Sequence, residues 1–88
     1  MVQKEVIIVN KLGLHARAAA KLVTLASSFS SEIDISRNGQ SVNGKSIMGV
    51  MMLAASQGTT IRITVSGEEE EEALRSLIEL IDDKFGEP

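Results

Sequence analysis

His15 is the sole histidine of the chain, set between a loop ending at Gly13 and an alanine-rich run. A helix starting at Ala16 makes His15 its N-cap, a position that ordinarily goes to Ser, Thr, Asp or Asn. Such breaks of a local rule concentrate at functional sites. Arg17 stands in the same first turn, and the backbone N–H groups of Ala16, Arg17 and Ala18 lack intrahelical acceptors there. A helix N-terminus beside a guanidinium is an anion site, and phosphate is its natural ligand. A neutral imidazole at this place keeps a lone pair on one ring nitrogen, free to attack phosphorus. A group bound there would be stabilised by the helix dipole and Arg17, and neither would block its in-line departure. On generic physics alone, a surface histidine with no role is an equally good reading.

Other residues invite chemistry less strongly. Gly39 and Gly44-Lys45-Ser46 satisfy the bare pattern G-x-x-x-x-G-K-S of a nucleotide-binding loop. The context argues against it, because Asn38-Gly39 is a strong hairpin signal and no long helix follows Ser46. Ser46 reads instead as the N-cap of a brief helix running to Leu53. No G-x-S-x-G elbow accompanies the histidine. The glutamates Glu68 to Glu72 could attract a metal or a basic partner, but they read better as the solvated opening of a last helix.

The elements that must position His15 follow from periodicity. Residues 2–9 are β-branched and give a strand. Ala16 to Phe29 reads as a helix whose Ala18, Leu22, Leu25, Ala26 and Phe29 share a face. Residues 32–36 alternate strictly as a half-buried strand, and a short return strand passes through Val42. Gly58 is placed to end that short-helix segment. Residues 60–65 alternate again. Leu74, Leu77, Ile78, Ile81 and Phe85 form the stripe of a final helix. The order is β-α-β-β-α-β-α.

Composition narrows the classes. Eighty-eight residues suggest one small domain over residues 1–88, with a modest core and no deep cavity. Without cysteine there is no disulfide framework, thiolate nucleophile or zinc–thiolate site, and one histidine forms no metal cluster. Trp and Tyr are missing and the net charge is −3, which argues against nucleic acid as a partner. Residues 1–45 carry six bases and three acids, whereas residues 46–88 carry three bases and nine acids. The basic half, which holds His15, suits an anionic ligand or an acidic protein. No charged leader precedes a long apolar run, so neither a signal nor a membrane-inserted helix is expected, and the chain reads as cytoplasmic.

Gly13-Leu14-His15-Ala16-Arg17-Ala18-Ala19, followed downstream by Lys45-Ser46-Ile47-Met48-Gly49-Val50-Met51-Met52-Leu53, resembles the HPr family. These are the histidine-containing phosphocarriers of the bacterial phosphoenolpyruvate-dependent phosphotransferase system. The resemblance extends over essentially the whole chain, including Gln57-Gly58-Thr59 and the acidic start of the last helix. It implies an α+β open-faced β-sandwich, a four-stranded antiparallel sheet with three helices on one face. It implies that His15 accepts a phosphoryl group on Nδ1 from phosphorylated enzyme I and passes it to enzyme IIA domains, while Arg17 balances charge. The protein would be a covalent carrier rather than an enzyme, working as a monomer without cofactor or metal.

By the same resemblance Ser46 is a regulatory serine, phosphorylated in some bacteria by a dedicated ATP-dependent kinase. Ile47, Met48 and Met51 would form an apolar docking surface, although some of that short helix must pack on the sheet. Ala18 departs from the family, in which many members carry proline; alanine keeps an N–H that proline lacks. Sugar-pathway and nitrogen-pathway carriers share the active-site motif, so both remain open. The same element order also describes ACT-like ligand-binding modules, but that alternative leaves the pairing of His15 with Arg17 unexplained.

Overall fold

Strict alternation in the strands builds the sheet. The computed structural model describes residues 1–87. Strand β1 spans Val2–Ile7, β2 Glu32–Arg37, β3 Gln40–Asn43 and β4 Thr60–Ser66. They form one antiparallel sheet in the order β1-β4-β2-β3. Ile33 and Ile35 of β2 and Ile61, Ile63 and Val65 of β4 are buried, while Glu32, Asp34 and Arg62 between them stay exposed. One face of the sheet therefore meets the core and the other meets water, which is what alternation demands. Asn38 and Gly39 make the two-residue turn between β2 and β3, with φ of 50° and 81°. Positive φ at both central positions matches the strand twist of a tight hairpin.

Three helices cover the buried face. Helix α1 runs Ala16–Ser27, α2 Ile47–Met52 and α3 Glu70–Asp82. Ala18, Ala19, Leu22, Val23 and Ala26 of α1 and Ala73, Leu77 and Ile81 of α3 are the buried stripes. The core is thus a layer of aliphatic side chains between helices and sheet, joined by Val50 and Leu53 from the region of α2. The acidic run opens α3 as expected: Glu69 is the N-cap and Glu70, Glu71 and Glu72 fill the first turn. Glu69 also accepts from the Ser30 N–H and hydroxyl, both at 3.0 Å. Those bonds hold its carboxyl below the usual carboxylate range.

Four expectations need correction. Helix α1 stops at Ser27, two residues before Phe29. Leu25 and Phe29 only flank the core, whose α1 stripe is completed by Ala19 and Val23. Helix α2 stops at Met52 with Leu53 as its C-cap, well before Gly58: Ala54 takes φ 50°, and Arg37 Nη1 donates to the carbonyls of Leu53 and Ala54 at 2.8 and 3.0 Å. A cation on the last carbonyls does there what a glycine usually does. Finally, α3 does not extend to Phe85. The chain leaves the helix at Asp83, and a 3-10 turn over Lys84–Gly86 follows, with φ of 58°, 54° and 76° at Lys84, Phe85 and Gly86. Phe85 still reaches the core, 1% exposed, but from this turn rather than from the helix stripe.

Candidate functional site

The loop before α1 is fixed by backbone contacts. Leu14 N–H donates to the Ala55 carbonyl at 2.8 Å, and Gly13 N–H to the Asn10 carbonyl at 3.2 Å. Gly13 has φ +69°, and a Cβ there would lie 2.5 Å from the Ala55 oxygen. Only glycine fits that approach without moving backbone. The loop so held delivers His15 as the N-cap of α1, in extended conformation and with no side-chain cap bond. Ala19 N–H takes the His15 carbonyl at 2.8 Å, which leaves the N–H groups of Ala16, Arg17 and Ala18 outside the helical ladder. Ala16 and Arg17 are exposed, whereas Ala18 is buried.

The imidazole is neither buried nor free. Its side chain is 28% exposed, and Nε2 lies 2.7 Å from Glu87 Oε2. The same carboxylate oxygen accepts from Asn10 Nδ2 at 2.9 Å. Asn10 is fully buried, and its Nδ2 also donates to the Gly13 carbonyl at 2.8 Å. The hydrogen bond from His15, aided by that from Asn10 and opposed by partial burial, holds the Glu87 carboxyl below the usual carboxylate range. An ionised carboxylate only accepts, so in the neutral ring Nε2 carries the hydrogen and Nδ1 keeps the lone pair. Arg17 is exposed in the first turn and pairs with no carboxylate among the described residues. Its guanidinium is open to an incoming anion.

Asn10 and Glu87 were missed by sequence reasoning. Asn10 interrupts an apolar strand end, which marks a turn as readily as a site. Glu87 lies 72 positions from His15, and it reaches the ring only because the chain turns at Asp83 instead of continuing as helix. No periodicity announces that turn.

Ser46 is the N-cap of α2, and its Oγ accepts from Gly49 N–H at 3.0 Å. Ile47, Met48 and Met51 all lie on the exposed side; Met48 is 76% exposed. None of the three belongs to the core. The core residues of this segment are Val50 and Leu53, at the three-residue spacing that faces the sheet. Met52 and Leu12, each 66% exposed, add apolar surface that the motif did not single out. The nucleotide-loop pattern is dispersed: Gly39 sits in the hairpin, and Lys45 Nζ is bound to the Phe29 carbonyl at 2.7 Å. No cluster of three or more His, Asp or Glu among the described residues could hold a metal ion. No helix among them is long and apolar enough to cross a membrane.

An imidazole that is part-exposed at the open end of a helix, on a small open sheet, suits a group-carrying protein. The family described as PTS HPr component phosphorylation site matches residues 2–83. Phosphocarrier protein HPr of Xylella fastidiosa is 55% identical over 87 residues, covering 99% of this chain and 98% of its own. Phosphocarrier protein HPr of Cupriavidus necator is 54% identical over the same length and shares. The crystal structure of HPr-C-His from Thermoanaerobacter tengcongensis superposes with a TM-score of 0.97 at 48% identity, covering 100% of this chain and 99% of that one. The chain belongs to the HPr family, the phosphocarriers of the phosphotransferase system.

Proposed function

We propose that His15 accepts a phosphoryl group on Nδ1 from phosphorylated enzyme I and delivers it to enzyme IIA domains. The observation that carries this reading is the state of the ring: Nε2 is occupied by Glu87, while the side chain remains part-exposed at the N-terminus of α1. Nδ1 attacks phosphorus in line as the bond from phosphorus to its donor breaks, and the reverse displacement hands the group on. Positioning and charge compensation dominate such transfers. The N–H groups of Ala16, Arg17 and Ala18, together with the guanidinium of Arg17, supply the compensation. The chain is half of each active site and its large partners supply the other half. It is accordingly a carrier rather than an enzyme, needs no cofactor or metal, and works in the cytoplasm as a monomer forming one domain.

Ile47, Met48 and Met51, extended by Met52 of the same helix, form the docking face. Their exposure as a group of large apolar side chains supports an interaction surface. Ser46 is a regulatory site for an ATP-dependent kinase: its hydroxyl lies at the edge of that face, where a phosphate would bring negative charge beside Ile47 and Met48.

Incubation with enzyme I and phosphoenolpyruvate, followed by intact mass measurement, tests the carrier reading. The chain should gain one acid-labile, base-stable phosphate, and His15→Ala should abolish the gain. A phosphate retained by His15→Ala, or none taken up by the unaltered chain, overturns it.

A further inference from the structure

The Glu87 carboxylate does more than fill Nε2, because the fold holds it on His15 through several contacts. Asn10, fully buried, offers one Nδ2 hydrogen to the Gly13 carbonyl and the other to Glu87 Oε2. Its Oδ1 finds no donor among the described residues. A buried acceptor left unpaired is costly, and both hydrogens of this amide are nonetheless placed on the Gly13 carbonyl and on Glu87. Lys84, Phe85 and Gly86 all adopt left-handed conformations, two of them without glycine's freedom. Strain of that kind persists where the surroundings demand a particular path. Here Phe85 is buried and Lys21 Nζ clamps its carbonyl at 2.7 Å, which directs the next two residues onto the imidazole.

We infer that Glu87, aimed by Asn10, is a positioning residue that keeps the hydrogen on His15 Nε2 throughout the carrier's cycle, so that Nδ1 takes up and releases its group without any proton transfer. The inference rests on the phosphoryl-acceptor reading of His15. During uptake the Nδ1 lone pair forms the bond to phosphorus, and the electron pair of the bond that breaks departs with the donor. The ring then bears phosphorus on Nδ1 and hydrogen on Nε2 and is cationic, and the carboxylate opposite stabilises it. During delivery the electron pair of the Nδ1–phosphorus bond returns to Nδ1 while the acceptor bonds to phosphorus. The leaving group is a neutral imidazole. Had Nε2 lost its hydrogen, it would be an imidazolate, a far poorer leaving group.

The test is the tautomer of His15 in the ¹⁵N-labelled full chain, read from two-bond ¹H–¹⁵N correlations of the ring at about pH 8, where a free imidazole is neutral. The unaltered chain should show hydrogen on Nε2. In Glu87→Ala the ratio of the two tautomers should move towards Nδ1–H by roughly ten- to a hundredfold, the equilibrium weight of one charge-assisted hydrogen bond. Glu87→Gln, whose amide oxygen still accepts, should restore most of the Nε2–H form, which a merely structural role would not require. An unchanged ratio in Glu87→Ala, or a Gln variant that behaves like Ala, overturns the inference. The phosphorylated Glu87→Ala chain should also release its group to an acceptor domain more slowly at unchanged KM, and an unchanged rate counts against the role. If even the unaltered chain takes up no phosphate, the phosphoryl reading falls alone, since the ring spectrum still decides what Glu87 does to Nε2.

Discussion

At the scale of single residues, the two nitrogens of one imidazole are made unequal by a group far away in sequence. Nε2 has a carboxylate partner at 2.7 Å, and Nδ1 has no hydrogen-bond partner among the described residues. Arg17, two residues away, contributes charge but takes no part in that choice. The pH dependence of the contact follows from the Glu87 carboxyl, whose folded-state pKa lies below the ordinary value of 4.5, chiefly through the His15 hydrogen bond. A group depressed on folding adds stability that is fully present above its unfolded value and is lost as pH falls through the folded one. The latch is therefore intact at neutral pH and opens only in acid, below the window in which free glutamate titrates. The ¹³C shift of the Glu87 carboxyl, followed through an acid titration, should give a midpoint under 4.5. It should rise towards that value in His15→Ala, because the largest cause of the depression is removed. A midpoint already at the free value would mean that the contact does not persist in solution.

Among the elements, two helix starts built on the same plan do opposite things. Ser46 closes α2 with a hydroxyl bond to Gly49 N–H, whereas His15 leaves the first donors of α1 open. One start is finished as structure, and the other leaves donors open for the anion of the proposed function. Ser46→Ala should cost about 1 kcal/mol through loss of the cap, seen in denaturant unfolding, with phosphoryl acceptance little changed. Ser46→Asp keeps a capping oxygen but puts a carboxylate beside Ile47 and Met48, so the rate of acceptance from enzyme I should fall while stability holds. Equal rates in the two variants would remove the proposed regulation. Most of these elements were legible before any coordinates. Ile33, Ile35, Ile61, Ile63 and Val65 alternate because one face must meet the core, and Asn38-Gly39 states its turn in two residues. The misreadings came where local pattern and long-range contact disagree: Phe85 fits the stripe of α3 yet arrives from a turn, and Ala54 takes a conformation usually left to glycine, beside carbonyls that Arg37 binds. His15 and Arg17 were legible as a candidate site because their spacing is local; Asn10 and Glu87 were not, because tertiary packing alone brings them to the ring.

For the whole molecule, stability and site share one anchor. Phe85 is among the largest fully buried side chains, in contact with the helical layer, and its carbonyl is held by Lys21 of α1. Two residues later the chain places Glu87 on His15. Truncation to alanine at such a site costs about 3–5 kcal/mol, a large share of the roughly 5–15 kcal/mol that holds a typical domain together. Phe85→Ala should therefore lower the midpoint of denaturant unfolding sharply. Phe85→Leu, which keeps most of the volume, should stay folded with a smaller loss and still loosen the path of residues 86 and 87. In that milder variant the His15 ring spectrum should shift partway towards that of Glu87→Ala while backbone amide shifts of the sheet remain in place. The sheet and α1 would then be intact and the ring altered, which separates loss of the anchor from general unfolding. A leucine variant with reduced stability and an unchanged ring spectrum would show that Glu87 is held by Asn10 alone, and that the core of this small fold does not reach its reactive nitrogen.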